Sequence, residues 1–216
     1  MHFEFLTEDQ SGKQMLELLL PKLLPDEGAH TYRVHPYKGI GRIPKGMKPS
    51  ADASKRILLD QLPRLLAGYG KASASSPAVV IVVCDLDDRN KAGFEKELKA
   101  LTTTIRPCPA HAFCLAIEEG EAWLLGDQPA IRAAYPTAKN SVMTNYEQDS
   151  ICGTWECLAD AVYPGGSESL KKEGWMRIGQ EKCNWAQNIT PHMQADQNRS
   201  PSFNQFMATV LAFAAD

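Results

Sequence analysis

The amino-acid sequence predicts an α/β fold, a mostly parallel sheet flanked by helices, with a helical C-terminal extension packed on it. Three observations predict it. Residues 78–84, AVVIVVC, form an unbroken and largely β-branched run, as in a strand buried on both faces of a parallel sheet. Strand-like runs at 2–7, 30–35, 78–84 and 111–117 alternate with helical patterns, which implies βαβ units. From about Gln128 onward the strand signal stops. The expected organisation is an α/β core over residues 1–127 and a helical extension over 128–216. The extension holds too few Trp and Leu residues to fill a separate core, so it is expected to belong to the same structural unit.

Taken in order, HFEFLT (2–7) reads as a short strand with apolar Phe3, Phe5 and Leu6. Ser11-Gly12-Lys13 opens a helix whose Met15, Leu16, Leu18, Leu19, Leu20 and Leu23 follow helical spacing, and Pro25 stops it. HTYRVH (30–35) is the second strand, followed by a loop from Tyr37 to Pro49. Residues 52–67 read as a helix and Gly68–Pro77 as a small-residue connection. After the strand at 78–84 come a helix over 90–101, a strand over 111–117 (HAFCLAI) and a short helix around Glu121–Leu125. Three helices are expected beyond: about 151–162, 179–189 and 202–214, the last started by Ser200-Pro201-Ser202.

Composition excludes several classes. With 216 residues, 44% hydrophobic, the chain can bury a core. Lys+Arg is 23 against Asp+Glu 26, a net charge of -3, which argues against a protein that coats nucleic acid non-specifically. A local basic groove remains compatible. The start, MHFEF, lacks a basic and then apolar leader, and no apolar run approaches the roughly 20 residues needed to span a bilayer, so a cytoplasmic protein with no membrane partner is expected. The six cysteines form no C-x-x-C pair. Cys152, Cys157, Cys183 and His192 match no familiar zinc spacing, and the cysteines read as reduced structural thiols.

In a parallel α/β sheet the ligand edge is the carboxyl end of the strands. Acids collect there: Glu8 and Asp9 after the first strand, Asp85, Asp87 and Asp88 after the central one, Glu118, Glu119 and Glu121 after the later one. Carboxylates gathered on one edge repel unless a cation neutralises them, and hard oxygen ligands suit Mg²⁺ or Mn²⁺. Alternate side chains after a strand point the same way, so Asp85 and Asp87 are placed to face one ion while Leu86 turns into the core. A lone D-x-D reads more readily as solvated loop; the further acid after the first strand shifts the balance.

The loop after the second strand carries Arg33, Lys38, Arg42, Lys45 and Lys48 with Gly39, Gly41 and Gly46 between them. Glycines let backbone approach a phosphate and Lys/Arg neutralise it, so Lys38, Arg42 and Lys45 are the candidate phosphate contacts; a plain solvated loop is the equal alternative. Gly39-Ile40-Gly41 lacks dinucleotide-fold spacing, and Ser11-Gly12-Lys13 lacks the upstream glycine of a phosphate loop and is expected to cap its helix. Trp123 reads as core rather than as a stacking platform, and no Ser/His/Asp arrangement for acyl transfer stands out.

TEDQSGKQMLE (7–17), YKGIGRIPKG (37–46), EEGEAWLLGD (118–127), IGQEKCNWA (178–186) and NRSPSF (198–203) together resemble the bacterial domain-of-unknown-function 4276 family, whose members look Toprim-like. Glu8 in FLTEDQSG with Asp85 and Asp87 in VVIVVCDLDD is similar to the wider Toprim pattern of primases, topoisomerases and OLD-type nucleases. The resemblance implies a Toprim-like sheet, a Mg²⁺- or Mn²⁺-dependent site of Glu8, Asp85 and Asp87, and action on nucleic-acid phosphodiesters, in some relatives in phage defence or beside an ATPase partner. By likeness to OLD-type nucleases, Glu118 or Glu121 is the candidate extra metal ligand and Lys182 the candidate late catalytic lysine. Lys182 reads equally as a solvated helix residue.

The first functional expectation is a metal-dependent nuclease. The alternative is a non-catalytic partner or sensor subunit that binds nucleic acid or an ATPase partner. A weaker one is phosphotransfer or nucleotidyl transfer on a small molecule.

Overall fold

The structure is a computed structural model that describes residues 1–24, 30–44, 53–73, 76 and 78–215. Four strands, β1 (His2–Thr7), β2 (Thr31–Pro36), β3 (Ala78–Asp85) and β4 (Ala110–Ala116), form one sheet in the order β2-β1-β3-β4. Every neighbouring pair is parallel, with Thr7 opposite both Pro36 and Val83 and Asp85 opposite Ala116. The expected α/β fold with a parallel sheet is therefore present.

Between these strands run α1 (Gln10–Leu23), α2 (Leu58–Ala72) and α3 (Lys91–Thr103). The chain leaves β1 for β2 on one side and returns past β1 to β3 on the other. The gap between the carboxyl ends of β1 and β3 is thus a topological switch point, where such sheets open a crevice. Strand alternation sorts the core into two layers. Val80, Val82, Cys84 and Leu86 pack with Leu58, Leu62, Phe94 and Leu98 of α2 and α3. Phe3, Phe5, Val79, Ile81 and Val83 face the other way, onto Leu16 and Leu19 of α1.

That second layer also takes in everything after β4: α4 (Glu121–Leu125), α5 (Gln128–Ala134), α6 (Asn140–Asn145), α7 (Thr154–Val162), α8 (Gly166–Glu173), α9 (Trp175–Ile189) and α10 (Pro201–Ala215). One continuous apolar cluster runs from Phe5 through Trp123 and Leu158 to Trp185, Phe203 and Phe206. Trp123, fully buried, stacks on Phe206 with ring centroids 4.9 Å apart and meets Phe203 edge-on at 5.7 Å. Its indole N–H donates to Ser202 Oγ at 3.0 Å. Two of the distinctive sequence segments are explained by that contact: EEGEAWLLGD and NRSPSF pack on each other.

Several elements depart from the sequence expectation. α5, α6 and α8 are additional to the three helices expected after Gln128; at 7, 6 and 8 residues they are too short to show an apolar period. α2 starts at Leu58 rather than 52, because Arg56 takes a left-handed φ of 51° between it and a 3₁₀ turn at Ala53–Lys55. It then runs to Ala72, through Gly68 and Gly70, which had read as a connection. Gly70 is needed there because a Cβ would stand 2.2 Å from the Pro107 carbonyl oxygen. Among the described residues no helix is long and apolar enough to cross a membrane.

Candidate metal and phosphate site

β1 delivers Glu8 and β3 delivers Asp85 to the carboxyl edge at the switch point. Glu8 is fixed from both sides: Gly39 N–H donates to its carbonyl at 3.0 Å, and Asp85 N–H donates to its Oε2 at 3.3 Å. Asp9 caps α1, accepting from Gly12 N–H at 2.8 Å and from Ser11 Oγ at 2.7 Å. The cap expected of Ser11-Gly12-Lys13 is thus supplied by Asp9, with Ser11 and Gly12 as its donors in the first turn. Glu8, Asp85 and Glu121 line one small recess of about 30 Å³ with Thr7, Ser11 and Trp123.

Its electrostatics are unfavourable for carboxylates alone. Burial and the nearby Asp87 push the Glu8 carboxyl up to about 7 against the pull of the Asp85 and Ile40 amides. Burial and then the charge of Glu8 hold Asp85 well above the usual carboxylate range, with Lys182 opposing. On the far wall Lys182 Nζ, reaching in from α9, lies 3.0 Å from Glu119 and 3.2 Å from Glu121. Burial would lower this lysine, but Glu121, Glu119 and Asp85 overcome it and hold it above its ordinary value. Lys182 is accordingly a half-buried ion-pair partner and not a solvated helix residue.

The remaining sequence candidates fall at different places. Asp87 adopts a left-handed φ of 51°, which ends the strand alternation, and its half-exposed carboxyl stands at the rim, 3.6 Å from Arg89. Leu86 turns into the core as the D-x-D argument required. Glu118, also left-handed at φ 59°, points its carboxylate at the start of α7. There it accepts the N–H groups of Cys152, Gly153 and Thr154 at 2.9–3.1 Å and the Thr154 hydroxyl. Burial pushes it up, but these donors outweigh burial and hold it below the usual range. Lys38 and Arg42 are exposed on the loop whose Gly39 binds Glu8. Lys45 lies outside the described residues.

Two groups carry more than sequence reasoning assigned them. Glu119 receives both Lys182 and the Trp155 N–H, and burial pushes it up to about 7. Arg89 lies over the Phe94 ring, with Nη2 near Asp87 and the Gly41 carbonyl while Nη1 is buried without a partner among the described residues. The sequence offered only adjacency to acidic motifs as a signal for either.

Among the described residues no three His, Cys, Asp or Glu side chains are already arranged as a metal cage. The donor chemistry nevertheless fits a hard dication. Glu119 and Glu121 share Lys182, which leaves the buried Glu8–Asp85 pair to be neutralised by a proton or by a cation completed with water.

Comparison with curated proteins gave no match, and comparison with solved structures gave none. The sequence profile described as "Domain of unknown function (DUF4276)" matches residues 7–211, and the chain belongs to that family.

Proposed function

We propose that this chain is a Toprim-like, Mg²⁺- or Mn²⁺-dependent phosphodiester-acting protein, a nuclease in its simplest form. The observation that supports it most is the Glu8–Asp85 pair: two desolvated carboxyls, one bound to the other's backbone, at the switch point of a parallel sheet. Glu8, Asp85 and, across the rim, Asp87 would hold the ion. A bound Mg²⁺ or Mn²⁺ would polarise the scissile phosphate and neutralise the carboxylates. The chain's own groups do the rest. Lys182 keeps Glu119 and Glu121 turned to the far wall, so their charge does not compete for the pair. Arg89, its Nη2 3.6 Å from Asp87, adds a fixed positive charge at the rim. Lys38 and Arg42 add positive charge on the neighbouring loop. Glu118 is assigned to anchoring α7 rather than to the metal. A role in phage defence or beside an ATPase partner belongs to the same reading.

The second reading is a non-catalytic partner or sensor subunit that binds nucleic acid or an ATPase. Its supporting observation is that Lys182 already neutralises part of the acidic edge.

Thermal unfolding with EDTA and with millimolar Mn²⁺, beside a nuclease assay, separates them. Mn²⁺ is expected to stabilise the wild type. Asp85→Asn is expected to abolish metal-dependent cleavage and the Mn²⁺ stabilisation while melting at an equal or higher temperature in EDTA, since one of two repelling charges is gone. A wild type indifferent to Mn²⁺ sinks the metal reading and favours the second.

A further inference from the structure

α9 begins with the two most exposed large apolar side chains among the described residues, Trp175 at 82% and Met176 at 84%. Along the same helix face Trp175, Gly179 and Lys182 follow at i, i+4 and i+7, so the stripe leads from the exposed indole to the lysine of the acidic site. Gly179 lies in the helix interior, where glycine is destabilising relative to alanine, yet among the described residues no atom beyond its own helix turn stands within 4 Å of where its Cβ would be. The space it leaves is part of an open groove of about 630 Å³ between the start of α1 and α9. Asp9 and Ser11 line both this groove and the recess that holds Glu8 and Asp85, so the two lie on either side of the same turn.

The remaining lining narrows the occupant. Gln10, the amide N–H groups of Gln180 (whose Oε1 accepts from Arg177) and the Oδ1 of Asn184 (whose Nδ2 donates to Glu181) offer uncharged donors and acceptors, and Met176 offers a polarisable apolar edge. The one cation, Arg177, is taken up by Glu173 and Glu181. Asp9 at the inner end disfavours a phosphate. A neutral planar group with hydrogen-bonding edges fits this chemistry, and a phosphate group does not.

We propose that the groove between α1 and α9 receives an unpaired nucleobase, packed on Met176 inside the groove, covered by the exposed Trp175 indole that flanks its mouth at the start of α9, and met at its edge by the Gln10, Gln180 and Asn184 side chains, beside the phosphate addressed by Glu8 and Asp85. The proposal rests on the phosphodiester reading of that acidic edge. It makes the substrate single-stranded, or locally unpaired, because a base inside a duplex cannot enter a groove in the protein surface.

Intrinsic fluorescence tests it selectively, because Trp123, Trp155 and Trp185 are 0%, 7% and 1% exposed and only Trp175 faces solvent. A short single-stranded oligonucleotide, as DNA and as RNA, is titrated in Mg²⁺ and in EDTA beside an abasic sugar-phosphate strand of equal length and a blunt duplex. The base-bearing strand is expected to quench Trp175 and to bind at least about 10-fold tighter than the abasic strand, as aromatic stacking of a base predicts. Trp175→Ala, and Gly179→Leu to fill the groove, are expected to erase that difference. Both sites are open, so both variants are expected to fold. Equal affinity for abasic and base-bearing strands in both buffers, or base-dependent binding untouched by both variants, overturns the proposal. If the protein cleaves DNA or RNA and Trp175→Ala leaves kcat/KM unchanged, the groove assignment falls and the nuclease reading stands. Base-dependent binding by a protein that cleaves nothing supports the groove and removes the catalytic reading instead.

Discussion

Glu8 illustrates how a single group ties stability to ligand. Its folded pKa of about 7 lies above its ordinary 4.5, so the folded state keeps a proton that the unfolded chain releases between those values. The stability contributed by this group is full below pH 4.5 and is lost as pH rises through about 7. Chemical unfolding in EDTA is therefore expected to show less stability at pH 8 than at pH 5.5 from this source, with Glu8→Gln flattening the profile and a divalent ion restoring the deficit in the wild type. Glu118 has the opposite sign. Its carboxylate satisfies several donors at the start of α7, and Glu118→Ala leaves them orphaned, for a loss of about 1–3 kcal/mol. Calorimetry of that variant is expected to show the loss with the Mn²⁺ stabilisation intact. A lost Mn²⁺ response would return Glu118 to the list of metal ligands.

The junction after α4 shows what an element needs that its own residues do not announce. Gly126 N–H closes α4, and a Cβ on Gly126 would stand 2.0 Å from Asn198 Oδ1. Asn198 in turn donates to the Trp123 carbonyl at 2.7 Å and accepts from Ser200 N–H, which sets the start of α10. Gly126→Ala is expected to cost about 1–3 kcal/mol by overpacking. The tail should loosen first, measured as faster amide exchange across α10. The strands were legible because each carries its own signal: β-branched bulk in β3, paired phenylalanines in β1. So was the placing of Glu8 and Asp85 side by side, since chain order and strand ends alone put them at one switch point. What stayed hidden depends on partners far along the chain. Glu118 meets its donors at 152–154, Glu119 meets Lys182, and Asp87 leaves the strand direction through one backbone angle that D-x-D does not encode. The openness of Trp175 was equally invisible, because apolar composition does not say which of four tryptophans the fold leaves uncovered.

Across the whole molecule, the helices after β4 close the same apolar layer that begins at Phe3 and Phe5. Phe206 touches both ends of this layer, lying 6.3 Å from Phe5 and 4.9 Å from Trp123, ring to ring. Phe206→Ala is expected to cost about 3–5 kcal/mol and to lower one cooperative transition rather than split it in two. A protease-resistant fragment ending near residue 140 that stays folded alone would count against one shared core. The sheet order also dictates a sequence of events during synthesis. β1 lies between β2 and β3, so the strand made early waits for a neighbour that begins only at Ala78. At ribosomal speeds of about 5–20 residues per second, one side of that strand stays unpaired for several seconds. During that interval the nascent chain offers an unpaired apolar edge to any other strand nearby, a hazard that faster translation shortens and chaperone holding covers.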